Sequence, residues 1–488
     1  MWFSIFTIVV FLYVIYRLLK FWIFDPWRIH KDLWAQGIPG RYIPIVGEAF
    51  RMRRAVLADD PISYNIEMTK KFGSYYHTSF GPLARLVISD PLLIQGVLKT
   101  NARAYHKSVL IQIILGELLG FENLLMTEDN IHAQHRRLIA PVFQHQNLNS
   151  MISFIVEITS NFLNKWSFTM NNANNKDNIL NLDIHKEMTG LTLDIVTGCV
   201  FGSGLMKDEH IRETIYQGFT KSLEDIEERT FNMIGVIPII NRLPLASKRR
   251  IDKSKESIRH AVKHIIDERK KGFTKSACKG PDLLDLLLSA HGNDKTMLAG
   301  HETTATLMTW TLYNLANNPD ICHKLETEID SVLNDNEEIT ASTLSLLIYT
   351  ELVLKETLRL HQSVPSLIRK AIEDNTLIAS DGKHILIKKG TDIWIDLYTL
   401  HHSEEYWHEP FKFDPSRFNE RHLDIHLPFG SGPRSCIGQN FAMLEAKIML
   451  AMIIKQFRFE LIPGQKHVPD MFVTLRPKYG MWMKISPR

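Results

Sequence analysis

The chain has 488 residues, of which 45% are hydrophobic and 23% are charged. This composition is typical of a packed globular protein and excludes a disordered or fibrous chain. The 57 basic and 54 acidic side chains nearly cancel to a net charge of +3, so we expect no nucleic-acid partner. Four scattered cysteines are too few for a disulfide framework and favour a reducing compartment.

The N-terminal segment differs from the rest of the chain. Residues 2–16 carry no charge, and the apolar run resumes after Arg17 as far as Phe24. As a helix, this segment would be about 34 Å long, enough to cross a hydrocarbon core of about 30 Å. A cleaved signal peptide is the alternative, but it needs a basic leader and a small-residue cleavage site, and the sequence has neither. We therefore predict a transmembrane anchor over residues 1–24, and the basic residues after it place the body in the cytoplasm.

Residues 25–60 contain Pro and Gly at positions that predict a stiff hinge. From residue 61 to residue 488 we expect one catalytic domain that is mainly α with small β-sheets. Apolar residues at helical period predict helices at 150–166, 185–201, 209–233, 255–271, 296–317, 320–333, 344–360 and 439–455. Extended, β-branched stretches predict strands at 75–80, 85–89, 377–387 and 392–396.

The most specific segment is 429–438, with the sequence Phe-Gly-Ser-Gly-Pro-Arg-Ser-Cys-Ile-Gly, directly before a predicted helix. Its glycines can adopt positive φ and let the backbone approach a large flat ligand. The helix N-terminus and a nearby cation would lower the pKa of the Cys436 thiol and favour a thiolate ligand. Arg434 could pair with a carboxylate of the same ligand. A buried structural cysteine is the alternative, and the combination of residues makes it the weaker one.

This segment resembles the haem-binding signature of the cytochrome P450 family, Phe-x-x-Gly-x-Arg-x-Cys-x-Gly. Phe429, Gly432, Arg434, Cys436 and Gly438 match it position for position. The resemblance implies a cytochrome P450-like fold and a haem b cofactor, with Cys436 as the thiolate ligand of the iron. It also implies that Phe429 packs beside the sulfur and tunes its donation, and that Gly438 belongs to the cofactor-binding loop.

A second motif, Ala-Gly-His-Glu-Thr-Thr at 299–304, lies in a predicted apolar helix. Gly300 would cost that helix about 1 kcal/mol relative to Ala, which indicates that a ligand approaches the backbone there. The family has a matching motif, and the resemblance implies that Thr303 hydrogen-bonds dioxygen and that Glu302 helps to deliver protons. The alternative is an ordinary helix whose Thr hydroxyls bond to the preceding turn.

The pair Glu356 and Arg359 can be interpreted only with the help of the resemblance. Glu356 and Arg359 would alone be a surface pair worth about 0.2–0.5 kcal/mol. In the family they form, with an arginine corresponding to Arg417, a buried structural charge network.

Arg369, Arg136 and His132 are predicted to contact the haem propionates. His132 stands where family members commonly have Trp, although its ring N–H can still donate to a carboxylate. A basic helix face is the alternative for Arg136.

Two further features concern the substrate. The apolar, Pro-broken segment 231–245 suits a membrane-facing surface near the substrate entrance, and a buried loop is the alternative. Only eight residues separate Ala290 from Ala299, fewer than is usual in the family. A splice form or a faulty gene model is one explanation, and a real variant with a reshaped cavity is the other. We expect weak, poorly coupled turnover from such a chain, because substrate positioning depends on this wall.

Together, these features predict a haem-thiolate monooxygenase anchored in the endoplasmic reticulum membrane. Its expected partners are O2, an NADPH-cytochrome P450 reductase, cytochrome b5 as a second electron donor, and a lipophilic lipid, sterol or xenobiotic substrate. A haem-binding membrane protein without turnover is one alternative. A reductase-independent haem-thiolate isomerase is another, and Glu302 and Thr303 argue against it because an isomerase has no need to protonate dioxygen.

Overall fold

A computed structural model describes residues 2–116, 120–172, 178–201, 245–271, 299–334, 338–419, 424–471 and 473–488, with a few short pieces between 213 and 226. The chain is mostly helical with small sheets, as the sequence predicts. Except for its last residue, Leu245, the predicted membrane-facing segment 231–245 lies outside the described residues. The short connection 291–298 and most of the helix predicted at 209–233 also lie outside them.

Helix α1 spans Trp2–Ala35 and, among the described residues, is the one helix long and apolar enough to cross a membrane. It continues past Phe24, where the sequence places the start of the hinge. The ring of Pro26 follows a π-helical turn, Lys20–Phe24, in which the Asp25 amide donates to the Lys20 carbonyl. A π turn relieves the clash that proline causes in a regular helix, so the helix runs through it.

Fourteen further helices are described. They are α2 Ala49–Leu57, α3 Ser63–Phe72, α4 Pro91–Gln95, α5 Val109–Ile111, α6 Asp129–Ile139, α7 His145–Asn172, α8 Ile184–Phe201, α9 Ala246–Lys270, α10 Ala299–Asn317, α11 Pro319–Val332, α12 Ala341–Leu346, α13 Ile348–Leu360, α14 Leu397–His401 and α15 Gln439–Gln456. The predicted helix 344–360 is divided at Leu347, whose ψ of 68° leaves the helical region.

Twelve strands are described, and five of them form the main sheet in the order β1-β2-β8-β5-β3. Their bounds are β1 Tyr75–Phe80, β2 Leu83–Ile88, β3 Tyr105–His106, β4 Leu180–Asp183, β5 Ser366–Ala371, β6 Asn375–Ile378, β7 His384–Ile387, β8 Asp392–Asp396, β9 Phe457–Leu461, β10 Pro469–Met471, β11 Leu475–Pro477 and β12 Trp482–Pro487. Strands β2 and β8 pair in parallel, and β5 pairs antiparallel with β8.

The sequence predicts short strands within 377–387, and the structure has a hairpin of two strands there. Strands β6 and β7 form an antiparallel hairpin, in which Ile378 pairs with His384. The turn between them contains Gly382 with φ of +81°, a conformation that glycine adopts without strain. The Asp-Gly pair at 381–382 is a sequence signal for such a turn.

The largest apolar core lies between α7, α8, α10, α13 and α15. Helix α8 packs along α10, and the Thr192 hydroxyl donates to the His301 carbonyl at 3.0 Å between the two helices. Trp310 on α10 is buried and donates to the Leu475 carbonyl at 2.6 Å. These contacts hold α10 between the helical core and the C-terminal strands, so its first turn has a fixed position.

Glu356, Arg359 and Arg417 form a charge network beside this core. Arg359 donates from Nε and Nη2 to the two Glu356 carboxylate oxygens, each at 2.8 Å, and Arg417 Nε donates to Glu356 Oε1 at 3.0 Å. Arg359 also donates to the carbonyls of His401 and Pro410, both at 2.7 Å. Glu356 and Arg359 are fully buried, so the network ties α13 to the loop that leads to the cysteine segment.

Replacing Glu356 by Ala should therefore lower the free energy of unfolding by about 3–5 kcal/mol, because two arginines lose their buried carboxylate. The measurement is denaturant unfolding of the full chain in detergent. Lys388→Ala, which removes an exposed ion pair with Asp374, is the control and should have a far smaller effect. Equal effects of the two substitutions would contradict a stabilising role for the buried network.

Candidate active site

One cavity of about 520 Å³ brings the two sequence motifs together. All nine residues that the sequence predicts for the site line it: Cys436, Thr303, Glu302, Arg434, Arg369, Arg136, His132, Phe429 and Gly438. They come from four parts of the chain, namely α6, the first turns of α10, strand β5 and the loop before α15. Most of the remaining wall is apolar.

The loop before α15 is fixed by its glycines and by backbone hydrogen bonds. Gly432 has φ of +71°, and a Cβ there would lie 2.0 Å from the Leu98 carbonyl oxygen, so only glycine fits. The Cys436 amide donates to the Phe429 carbonyl at 2.8 Å, which closes the loop and directs the cysteine to the cavity. Phe429 packs against the main core from the same loop.

The side chain of Cys436 is exposed at the cavity wall. Desolvation by the surrounding protein nevertheless raises the pKa of its thiol, opposite to the lowered pKa that the sequence predicts, while the Arg136 charge lowers it. The Gly438 amide, which also lowers the pKa, belongs to the N-cap of helix α15. A thiolate at this position is therefore favoured chiefly by a metal ion bound to the sulfur.

Six basic side chains line the cavity: Arg85 and five that we call the cationic cluster, namely Lys107, His132, Arg136, Arg369 and Arg434. Arg434 forms an ion pair with Glu128 and donates to the Thr127 carbonyl at 2.7 Å. Arg136 donates to the Ser435 carbonyl at 2.7 Å, which attaches α6 to the cysteine loop.

The electrostatics of the cationic cluster reflect burial and mutual repulsion. Burial, together with Arg434, lowers the pKa of Arg369 to about 10 and that of His132 to about 3. Burial also lowers the pKa of Lys107 to about 7, against the attraction of Glu128. Two carboxylates, those of Glu128 and Asp129, thus act on three arginines and a lysine, and two further carboxylates on a bound group would complete the balance. The residues present therefore fit a flat ligand that carries two acidic side chains next to a cysteine-bound metal.

Lys107 and Glu128 were missed by the sequence reasoning. Lys107 directly follows β3, which pairs with the strand that carries Arg369, so the sheet register brings the two basic residues together. Glu128 precedes α6 and accepts from the Lys107 amide at 2.8 Å. Neither residue belongs to a recognisable motif, and only the folded sheet indicates their place.

The sequence left two interpretations of the first turn of α10 open, namely a ligand-facing surface and an ordinary helix whose Thr hydroxyls bond to the preceding turn. The structure shows features of both. The hydroxyls of Thr303 and Thr304 donate to the Gly300 carbonyl at 3.1 and 3.2 Å, as in an ordinary helix. Thr303 also lines the cavity, and no atom lies within 4 Å of a Cβ built on Gly300, so the helix surface there is open. The Thr303 carbonyl accepts from the Ser363 hydroxyl at 2.9 Å, which fixes this turn against the segment before β5.

Glu302 is buried at the cavity wall and faces His185, with 3.8 Å between Glu302 Oε1 and His185 Nε2. Burial lowers the pKa of His185, so its ring is neutral at neutral pH, and its Nδ1 lies 3.3 Å from the Thr309 hydroxyl. No sequence motif indicates the role of His185, because its contact with Glu302 joins α8 to α10.

Glu445 is a fully buried carboxyl on α15 behind the cavity. Burial raises its pKa well above its ordinary value of 4.5, and the hydroxyl of Thr304 interacts with it. Among the described residues, neither oxygen of the Glu445 carboxyl has a hydrogen-bond partner, so burial favours the neutral form.

Comparison with known proteins agrees with this geometry. The family description for cytochrome P450 matches residues 38–483. The Arabidopsis thaliana protein LUTEIN DEFICIENT 5, chloroplastic, is 31% identical over 455 residues, covering 86% of this chain and 73% of its own. A cytokinin hydroxylase of the same plant is 29% identical over 513 residues, covering 97% and 96%. Cytochrome P450 97B2, chloroplastic, from Glycine max is 29% identical over 476 residues, covering 85% and 81%.

A mainly helical fold whose cysteine loop faces a threonine-bearing helix across one cavity is that of a haem-thiolate oxidoreductase. The match over residues 38–483 shows that this chain belongs to the cytochrome P450 family and is a monooxygenase of that class. Membership of the family implies a haem cofactor, which the cationic cluster and Cys436 fit.

The raised pKa of Glu445 predicts how the free energy of unfolding depends on pH. Below about pH 4.5 its carboxyl is neutral in both the folded and the unfolded chain and costs nothing. As the pH rises, the unfolded chain loses the proton and the buried carboxyl keeps it, so the free energy of unfolding falls until the pH reaches the raised pKa. Glu445→Gln should remove this fall, which amounts to about 1.4 kcal/mol per pH unit.

Denaturant unfolding of the full chain in detergent between about pH 5 and pH 8 tests this expectation. The stability of Glu445→Gln relative to the parent should increase across that range. Glu460→Gln, at an exposed position of β9, is the control and should track the parent. A Glu445→Gln variant with the pH dependence of the parent would show that Glu445 is not a buried neutral acid.

Proposed function

We propose that this protein uses haem b to insert one atom of O2 into a lipophilic substrate, with electrons from an NADPH-cytochrome P450 reductase and with cytochrome b5 as a second donor. The observation that carries the proposal is the single cavity lined by Cys436, the cationic cluster and the Thr303 turn. When bound, the haem supplies the activation of dioxygen. The protein holds the cofactor, orients the substrate, excludes water and handles protons.

The residues divide these tasks by position. Cys436 is the proposed ligand of the iron, and Phe429 shields its sulfur. Lys107, Arg369 and Arg434 would hold the propionates through charge-assisted hydrogen bonds, with Arg136 and His132 completing that wall. The haem would thereby balance a set of buried cations in which Lys107 and Arg434 pair with Glu128.

Proton handling belongs to the first turn of α10. Thr303 lines the cavity, and Glu302 lies one residue away beside the neutral ring of His185. We propose that Glu302 holds a proton for the reaction and that Thr303 positions the dioxygen and its protons by hydrogen bonding. His185 would keep Glu302 in place without adding a charge.

The cavity wall supports a lipophilic substrate. It is largely apolar and includes Phe80, Leu110, Ile114, Leu307, Ile368 and Val473. Such a wall binds hydrocarbon by removing it from water, at about 25 cal/mol per Å². Lipids, sterols and lipophilic foreign compounds are the proposed classes.

The proposed location of the protein is the endoplasmic reticulum membrane, with the catalytic domain in the cytoplasm. Helix α1 and the basic residues after it support a single-pass anchor. Two of the similar proteins are named as chloroplastic, so a plastid membrane is the alternative location.

The short connection between Ala290 and Ala299 favours a second candidate, a protein that binds haem through Cys436 but turns over weakly. An isomerase without a reductase remains a third candidate, against which Glu302 and Thr303 argue. Oxidation assays with labelled dioxygen separate the three, because a monooxygenase incorporates one labelled atom into its product and an isomerase incorporates none.

Thr303→Ala tests the proposed reaction. The variant should bind haem and consume NADPH with the reductase, but the ratio of product to NADPH should fall about tenfold or more because protons are misdelivered. The assay measures NADPH, peroxide and labelled product from lipid and sterol pools. Unchanged coupling would remove Thr303 from the mechanism.

Two cysteine variants are the controls for this experiment. Cys436→Ala should lose both product and the red-shifted Soret band of the reduced carbon-monoxide complex, because that band requires a thiolate ligand. Cys322→Ala, at a partly buried position on α11, should retain both. A red-shifted band in Cys436→Ala would overturn the ligand assignment.

A further inference from the structure

Arg85 is a buried arginine in the wall of the same cavity, apart from the cationic cluster. It lies on β2, is 4% exposed, and lines the cavity beside Met52, Phe80 and Trp394. The charges that shift the pKa values within the cationic cluster do not include Arg85. A haem held by that cluster would therefore leave Arg85 to another ligand.

The contacts of Arg85 are with aromatic and sulfur groups. Its Cζ lies 4.4 Å from the centroid of the Trp394 ring and 5.9 Å from that of Phe80, and Nη2 lies 3.4 Å from Met52 Sδ. Among the described residues, its buried Nε has no hydrogen-bond acceptor. Within the part of the chain that the structure describes, no carboxylate oxygen lies at ion-pair distance from this guanidinium.

Two carboxylates share the sheet face with Arg85, but both have other partners. Asp392 is opposite Arg85 in the β2–β8 register and the Arg85 charge acts on it, but Lys370 and the Ser108 hydroxyl have the larger effects. Asp396 accepts from the Thr399 amide at 3.1 Å and from the Thr399 hydroxyl at 2.7 Å. Neither forms a direct ion pair with Arg85.

A buried guanidinium without a carboxylate partner is unfavourable, because it has lost its hydration and gained no ion pair. The stacking on Trp394 offsets part of this cost and keeps the guanidinium in one orientation. The planar guanidinium group matches a carboxylate, to which it can donate two parallel hydrogen bonds. The missing partner is therefore an anion that enters the cavity.

We propose that Arg85 binds the carboxylate of the substrate and that the substrates are lipophilic carboxylic acids. This inference rests on the proposed function, because it takes the cavity as the substrate site. The acid group is held at Arg85, and the hydrocarbon part lies along the apolar wall that continues to Thr303 and Cys436. Arg85 thereby fixes which end of the substrate approaches the reacting centre.

Equilibrium binding to the full-length holoprotein in lipid nanodiscs tests the inference, with empty nanodiscs as the blank for partitioning. The probes are two matched pairs of acid and alcohol, dodecanoate with dodecanol and abietate with abietinol. In at least one pair the acid should bind about tenfold or more tightly than the alcohol. Arg85→Gln should abolish the preference, and Arg85→Lys should keep part of it.

Arg53→Gln, an exposed arginine on α2 near Met52, is the matched control and should bind as the parent does. Equal binding of acid and alcohol in both pairs, or a preference that persists in Arg85→Gln, overturns the inference. The carbon-monoxide spectrum reports whether each variant retains its haem site. If Arg85→Gln loses its haem site, the inference is judged from the parent protein alone, by the ratio of its affinities for the acid and the alcohol.

The experiment also separates this inference from the proposed function. Binding is measured without NADPH, so it does not depend on turnover. Tight acid binding through Arg85 without any oxidised product contradicts the proposed function alone. Oxidation of neutral substrates, with no preference for acids, contradicts the inference about Arg85 alone.

Discussion

Excess buried positive charge beside a cysteine is the constraint on which the rest of this site depends. Lys107, Arg369 and Arg434 approach one another in the cavity wall, and the Glu128 carboxylate faces them. Such a cluster is unfavourable unless further anionic groups bind to it. Desolvation also raises the pKa of the Cys436 thiol, so a bound metal ion is needed to favour the thiolate. A metal complex with acidic side chains meets this need and also supplies the anionic groups that the cations require.

The fold keeps this unfavourable arrangement in place by anchoring each contributing element elsewhere. Gly432 fits the cysteine loop against the Leu98 carbonyl, and the Glu356 network holds the chain that leads into that loop. Helix α10 is tied to α8, to the segment before β5 and to the C-terminal strands. The site residues therefore have little freedom to move apart and hydrate.

Local motifs made much of this predictable from the sequence. The spacing around Cys436 and the Thr303 motif depend on a few adjacent residues, so a pattern reveals them. Lys107, His185 and Arg85 could not be predicted, because sheet register and helix packing bring each to its place from distant parts of the chain. The sequence predicted a lowered pKa for the Cys436 thiol from the helix N-terminus and a nearby cation. The Gly438 amide and Arg136 do act in that direction, but desolvation by the rest of the fold has the larger, opposite effect on the pKa.

The most direct test of this account is the rate at which the full-length holoprotein releases haem to an acceptor protein, compared with the rate for haem dimethyl ester, whose propionates are neutral. The cationic cluster predicts that the ester leaves about tenfold or more faster, because each charge-assisted hydrogen bond contributes about 1.5–3 kcal/mol. Arg369→Gln should narrow the difference. Equal release of haem and its ester would contradict the claim that buried positive charge holds the cofactor.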